Sequence, residues 1–301
     1  MQQAAVPCRT PAGTPLNEDG ASQRAVLEHG GRLLAIHYTD SAPGLTQGPV
    51  VAMLHGSGPG STGWSSFAAN RDALVDAGHR VICPDLPGWG RSAPVLCLED
   101  RSSLNARALA AVLQTAGVEQ PVHVMGASMG AHSAVAFALQ WPRRVAKLVL
   151  VAGGTGGRSS FQPAQPEGVR LMLAFYRSPT AENMRRFIDA VVCDPAPYTD
   201  AVIHKMVVAA QSRPEHLDNC SMSLAQYPQQ FGDVAHRLCD IAAPALVIWG
   251  SEDRVVPLDI GIQMAVRMQQ ADLHVLGRCG HIPHVEQAHK FNRLVTQFLS
   301  V

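Results

Sequence analysis

Short apolar runs alternate with longer stretches of helical spacing through the first half of the chain. Runs at 50–54, 80–84, 121–126 and 145–152 read as strands, and the stretches near 64–77, 102–116 and 129–141 read as helices. Strand and helix in strict alternation predict a mostly parallel central sheet with helices on both faces, an α/β architecture. Two β-like runs precede it, Ala25–Glu28 and Leu33–His37, and Gly30-Gly31 between them predicts a hairpin turn.

After Gly157 the rhythm breaks. From 158 to 237 the pattern is helical, with joints marked by Pro179, Pro195, Pro197, Pro214 and Pro228, and strand–helix alternation resumes at Pro244. The expected organisation is a loose arm over 1–20, rich in Pro, Gly and polar residues, then a core made of 21–157 and 238–301. A helical lid over 158–237 is inserted between the two halves of that one sheet.

The candidate chemistry sits where these predicted strands end. Pro121–Met125 runs into Gly126-Ala127-Ser128-Met129-Gly130, and a helical run follows. A Gly-x-Ser-x-Gly turn between strand and helix holds its serine in a sharp elbow and needs small flanking residues, because strand and helix pass close to each other. Downstream, Pro244–Trp249 leads to Gly250-Ser251-Glu252-Asp253, and Leu273–Leu276 leads to Cys279-Gly280-His281. All three residues follow C-terminal strand ends, where open parallel sheets place their sites. A serine hydroxyl becomes a nucleophile when a base takes its proton, and neutral imidazole suits that task near pH 7. A carboxylate behind the imidazole fixes its tautomer. Ser128 is therefore the expected nucleophile, His281 the base and later acid, and Asp253 the orienting carboxylate. Glu252, Asp259, Asp272 and His284 compete for these roles on proximity, but motif position favours Asp253 and His281.

An acyl-transfer intermediate needs donors aimed at its oxyanion. The Met129 backbone N–H, at the start of the helix behind the serine, is one candidate. The Ser57 backbone N–H is the other, in the glycine-rich loop His55–Gly60 after the strand at 50–54. His55 reads as a brace for that loop, His132 as packing or support behind the serine, Asp85 as structural and Cys279 as packed.

Composition removes several other functions. Lys plus Arg number 24 and Asp plus Glu 24, a formal charge of zero, with no basic run, so nucleic acid is not an expected partner. No apolar stretch spans a bilayer and Met1–Thr10 lacks a signal pattern, so a cytoplasmic location with no membrane partner is expected. Seven cysteines without a Cys-x-x-Cys predict reduced thiols and no metal site. Gly153-Gly154-Thr155-Gly156-Gly157 lacks the lysine or spacing of a phosphate-binding loop, and no cofactor is expected.

The Ser, Asp, His order and the flanking segments resemble the α/β-hydrolase fold. In particular they resemble the meta-cleavage product hydrolases of aromatic-ring degradation, in the 2-hydroxy-6-ketonona-2,4-dienedioate hydrolase branch. The residues that carry this are His55–Gly60 with Trp64, Gly130–Phe137 with Trp141-Pro142, Lys147–Leu150 and Gly153–Gly157. Pro214–Leu217, Arg254–Asp259 and Cys279–His281 continue it, so the likeness covers about 50 to 300, lid included. The resemblance implies cleavage of a carbon–carbon bond in a 2-hydroxy-6-oxo-dienoate made by ring-opening dioxygenases, after ketonisation of the dienol. It also implies a homodimer or larger assembly.

Substrate-contacting positions implied by the resemblance are Gly56, Ser66, Ala127, Cys193, Met206 and Ile282, and most of them depart from the family pattern. Ala127 stands for an asparagine, Ile282 for a tryptophan, Ser66 for an asparagine and Cys193 for an aromatic residue. Met206 stands for an arginine that grips the substrate carboxylate. A carboxylate entering a dry pocket needs a cation or several donors. Lys205, Arg158, Arg185 and Arg213 are the candidate replacements. These departures keep a second reading open, a carboxylesterase or lactonase with the same triad, and a third, a ligand-binding module without catalysis.

Overall fold

The computed structural model describes residues 8–9, 15–45, 47–157 and 166–300. The arm expected over 1–20 therefore lies partly outside the described residues. Within it, β1 (Cys8–Arg9) pairs with β2 (Pro15–Leu16), and the Asn17 side chain caps a helical turn, α1 (Glu18–Ala21).

The hairpin is present as β3 (Ser22–His29) and β4 (Arg32–Asp40), antiparallel and turning at Gly30-Gly31, both at positive φ. The alternating segments follow as β5 (Val50–Leu54), α2 (Gly63–Ser66), α3 (Arg71–Asp76), β6 (Arg80–Pro84), α4 (Arg101–Thr115), β7 (Val122–Ala127), α5 (Met129–Gln140) and β8 (Val145–Val151). The single helix expected near 64–77 is two short ones. They break around Asn70, whose amide donates to the His284 carbonyl and to Asn292, far along the chain. That tertiary contact leaves no local signal.

Among the described residues α6 (Glu167–Arg177), α7 (Ala181–Val191), α8 (Asp200–Gln211) and α9 (Pro214–Gln226) then intervene. The sheet resumes with β9 (Ala245–Gly250), α10 (Leu258–Arg267), β10 (Ala271–Leu276), α11 (Pro283–Glu286) and α12 (Ala288–Ser300).

Among the described residues the main sheet has eight strands in the order β10-β9-β8-β7-β5-β6-β4-β3, with β3 and β4 antiparallel and the rest parallel. Central strands β5, β6 and β9 are buried along their whole length, as expected where helices cover both faces. Edge strand β3 alternates between buried and exposed positions. Helix α5 is apolar nearly all round and sits in the interior. Helix α12 instead presents a stripe of Phe291, Val295 and Leu299, four residues apart, to the sheet. One buried ion pair stitches the hairpin to the sheet: Arg80 holds Asp40 in a bidentate grip, with Nη2–Oδ2 at 2.6 Å and Nε–Oδ1 at 3.0 Å.

The strand order reverses direction between β5 and β7, so the loops after those strands open toward each other. Among the described residues no helix is long and apolar enough to cross a membrane.

Candidate active site

The turn after β7 is held by close backbone packing. Ser128 has φ of 53°, a left-handed value that costs a non-glycine residue on the order of 1–3 kcal/mol. Its N–H donates to the Val151 carbonyl of β8 at 2.8 Å, and its own carbonyl accepts from Ala131 and His132 as α5 begins. A Cβ on Gly126 would overlap the Gly130 carbonyl, and one on Gly130 would overlap the Leu54 carbonyl of β5. Strand, helix and neighbouring strand touch at backbone distance, so the serine cannot sink back into the sheet.

Asp253, in the loop after β9, is fixed by its own chain. Its Oδ1 accepts from the Val255 and Val256 amides at 2.8 and 2.9 Å, and its Oδ2 faces His281 Nδ1 at 2.8 Å. Both side chains are nearly buried, with 8% and 7% of each residue exposed. With Nδ1–H given to the carboxylate, His281 keeps its Nε2 lone pair for a proton. The His281 amide in turn donates to the Val191 carbonyl at the end of α7, at 2.7 Å.

The loop after β5 completes the floor. His55 is buried and accepts the Leu86 amide at Nε2 (2.9 Å), so its proton sits on Nδ1, which donates to the Gly56 carbonyl at 2.8 Å. Burial pushes its pKa down. Both ring nitrogens brace the loop. Gly56 lies so close to the serine that an added Cβ would stand 3.3 Å from Ser128 Cβ. Ser57 is held from the insert side, its carbonyl accepting from the Tyr176 hydroxyl at 2.8 Å.

Asp85 is spent structurally. It accepts from His37 Nδ1 and from the Arg91 and Gly63 amides. Burial would raise its pKa, but these partners hold it below the usual carboxylate value. His132 accepts the Gly154 amide at Nε2 and stacks on Phe231, and burial takes its pKa down to about 4. The Cys279 thiol is pushed up by burial and the neighbouring Glu286.

Ser128 and His281 open onto one cavity of about 730 Å³ between the sheet and the helical insert, with walls mostly apolar. Gly56, Ser57, Ser66, Ala127, Met129, Met206 and Ile282 line it as well. Cys193 is not among the lining residues: its thiol points to Glu252 at 3.1 Å and its amide donates to Glu286. Of the four candidate cations, Lys205 lines the cavity. Arg185 is engaged by Asp200 and the Tyr198 carbonyl, Arg213 by the Gly90 and Ser92 carbonyls, and Arg158 lies outside the described residues.

Two residues in this region were missed by the sequence reading. Glu286 accepts from the Gly280 amide of the histidine loop and from the Cys193 amide after α7, tying loop to insert. Arg101, at the start of α4, reaches the cavity with 4% of its surface exposed. Glu286 carries no sequence signal, and Arg101 looks like any charge opening a helix. Among the described residues no group of three or more His, Cys, Asp or Glu is arranged to hold a metal.

Comparison with known proteins places the chain in a family. Residues 51–294 match the model of the alpha/beta hydrolase family. A 2-hydroxy-6-oxononadienedioate/2-hydroxy-6-oxononatrienedioate hydrolase of Burkholderia vietnamiensis is 48% identical over 282 residues, 94% of this chain and 96% of that protein. Its namesake from Escherichia coli is 43% identical over 286 residues, 95% and 98% of the two chains. Among solved structures, a meta-cleavage product hydrolase from Pseudomonas fluorescens superposes with a TM-score of 0.79 at 26% identity, over 93% of this chain and 98% of that one.

Proposed function

We propose a function for a chain that belongs to the alpha/beta hydrolase family and, within it, to the meta-cleavage product hydrolases: serine-dependent cleavage of a carbon–carbon bond in a 2-hydroxy-6-oxo-dienoate. The observation that carries this reading is the 2.8 Å contact between Asp253 and His281, on a histidine that shares one cavity with the strained Ser128.

After ketonisation of the dienol, Ser128 Oγ adds to the remote carbonyl while its proton passes to His281 Nε2. Asp253 stabilises the imidazolium that forms. The oxyanion meets the Met129 and Ser57 amides, each such donor being worth about 2.7–4 kcal/mol in comparable sites. The carbon–carbon bond then breaks and the departing carbon takes the proton from His281. Water, deprotonated by the same imidazole, releases the acyl group from Ser128. The helices from α6 to α9 act as a lid over this chemistry. The reading includes a cytoplasmic enzyme acting on a small molecule as a homodimer or larger assembly, and a monomeric mass in solution would remove the last point.

A second reading is favoured by one specific observation. Met206 and Ile282, where the resemblance implies arginine and tryptophan, both face the cavity, so a carboxylesterase with the same triad fits its apolar wall. A paired assay separates the two. Loss of the visible absorbance of a ring-fission dienedioate and release of p-nitrophenolate from a short-chain ester are followed with the wild type and Ser128→Ala. Serine-dependent decay of the dienoate supports carbon–carbon cleavage. Ester turnover beside an inert dienoate replaces it with the esterase.

A further inference from the structure

An arginine taken out of water is ordinarily met by a carboxylate, because an unpaired charge in a dry site is costly. Arg80 obeys this rule through Asp40. Arg101, just as buried, does not: among the described residues no carboxylate lies within 4.0 Å of it. Its Nε donates to the Gln230 side-chain oxygen at 2.9 Å, its Nη1 reaches the Pro87 carbonyl at 3.4 Å, and the guanidinium stands 5.0 Å from the Trp89 ring. Neutral partners satisfy part of its five-donor fork and leave its charge unopposed.

The group is also held in place. The Arg101 amide donates to the Gln230 carbonyl, and the Gln230 side-chain NH2 is committed to the Cys97 and Tyr227 carbonyls, which fixes its oxygen toward the arginine. Trp89, Arg101, Tyr176, Cys220 and Gln230 together line one part of the cavity that holds Ser128. Phe231, next to Gln230, stacks on His132, one helical turn after the serine. The arginine is therefore a fixed, desolvated cation on a wall that continues to the elbow.

We propose that Arg101 is the carboxylate-binding residue of this cavity, gripping one end of an acidic substrate, in the role that the resemblance implies for an arginine at the Met206 position. The inference rests on the cavity being the substrate site, as in the proposed function, and deepens it by choosing carboxylic acids over neutral esters. Arg101 acts as a specificity determinant. It binds the anion and takes no part in proton transfer.

The test measures binding, so that it stands apart from turnover. Full-length Ser128→Ala protein is titrated calorimetrically with nonanedioate and with its dimethyl ester, alone and combined with Arg101→Gln or Arg101→Lys. The expected result is diacid binding at least tenfold tighter than diester. Arg101→Gln should weaken the diacid tenfold or more and the diester less than threefold, while Arg101→Lys keeps most of the diacid affinity. Equal binding of diacid and diester before the second substitution overturns the proposal. So does Arg101→Gln lowering both ligands together, which marks a purely structural arginine, or lowering neither. Ester turnover that survives Ser128→Ala would instead sink the serine mechanism and leave this binding comparison standing.

Discussion

Among the described residues two sets of serine, histidine and aspartate stand out. In one, Asp253 meets His281 Nδ1 at 2.8 Å, with Ser128 on the same cavity. In the other, Asp85 meets His37 Nδ1 at the same 2.8 Å, and His37 Nε2 is 2.9 Å from the Ser22 hydroxyl. By hydrogen bonding alone the second set is the more complete. What it lacks is surroundings: Ser22 lies in regular strand paired with β4, and neither principal cavity of the described residues touches it. It also has no helix start behind the serine to offer amides. The residue trio is common material, and what sets Ser128 apart is a strained elbow that opens onto a largely apolar cavity.

The sharpest way to break this contrast is to remove each hydroxyl. Ser128→Ala should lower kcat by on the order of 10⁶-fold, as loss of the nucleophile does in a serine protease, while Ser22→Ala should leave kcat/KM within about twofold. Equal losses from the two variants would show that the distant trio contributes to turnover. The carboxylates come next. Asp253→Asn should cost about 10³–10⁴ in kcat with the fold intact, because the imidazole is then held in the wrong tautomer.

Asp85→Asn should do the reverse. It leaves buried donors from His37, Gly63 and Arg91 facing an amide, and denaturant midpoints should register a loss of about 3–5 kcal/mol. The protein that remains folded should keep its rate per site. Asp85 also predicts a pH dependence. Its pKa is lowered on folding, so its stabilising contribution is complete above the unfolded value of about 4 and disappears as pH falls through the folded one. Denaturant midpoints between pH 7 and 2.5 should therefore fall less steeply at the acid end for Asp85→Asn than for the wild type. Parallel curves would deny the linkage. The smallest effect belongs to the cavity wall: Met206→Leu keeps volume and polarity, and KM for a neutral ester should move less than threefold.

What the sequence disclosed follows from how local each signal is. The elbow at Ser128 and the loops at Asp253 and His281 are strand-end features, written in consecutive residues and bounded by glycines. The hairpin at Gly30-Gly31 and the proline joints between α6, α7, α8 and α9 were legible for the same reason. The break around Asn70 was not, because its partners His284 and Asn292 lie more than two hundred residues away. Cys193 is expected at the ligand by correspondence, and the sequence gives no sign that its thiol and amide meet Glu252 and Glu286. Arg101 stayed hidden because an arginine at a helix start is ordinarily solvated. Only the folded chain shows that Gln230 and Trp89 enclose it.

The close contact at Gly130 has a practical corollary for anyone redesigning this chain. A side chain there would overlap the Leu54 carbonyl, and one at Gly126 would overlap Gly130 itself. Randomising either codon would spend a screening library on variants whose backbone cannot close. The diversity worth sampling lies across the cavity, at positions such as Met172, Leu173 and Met206. These side chains line the cavity, whereas Gly130 stands against the Leu54 backbone.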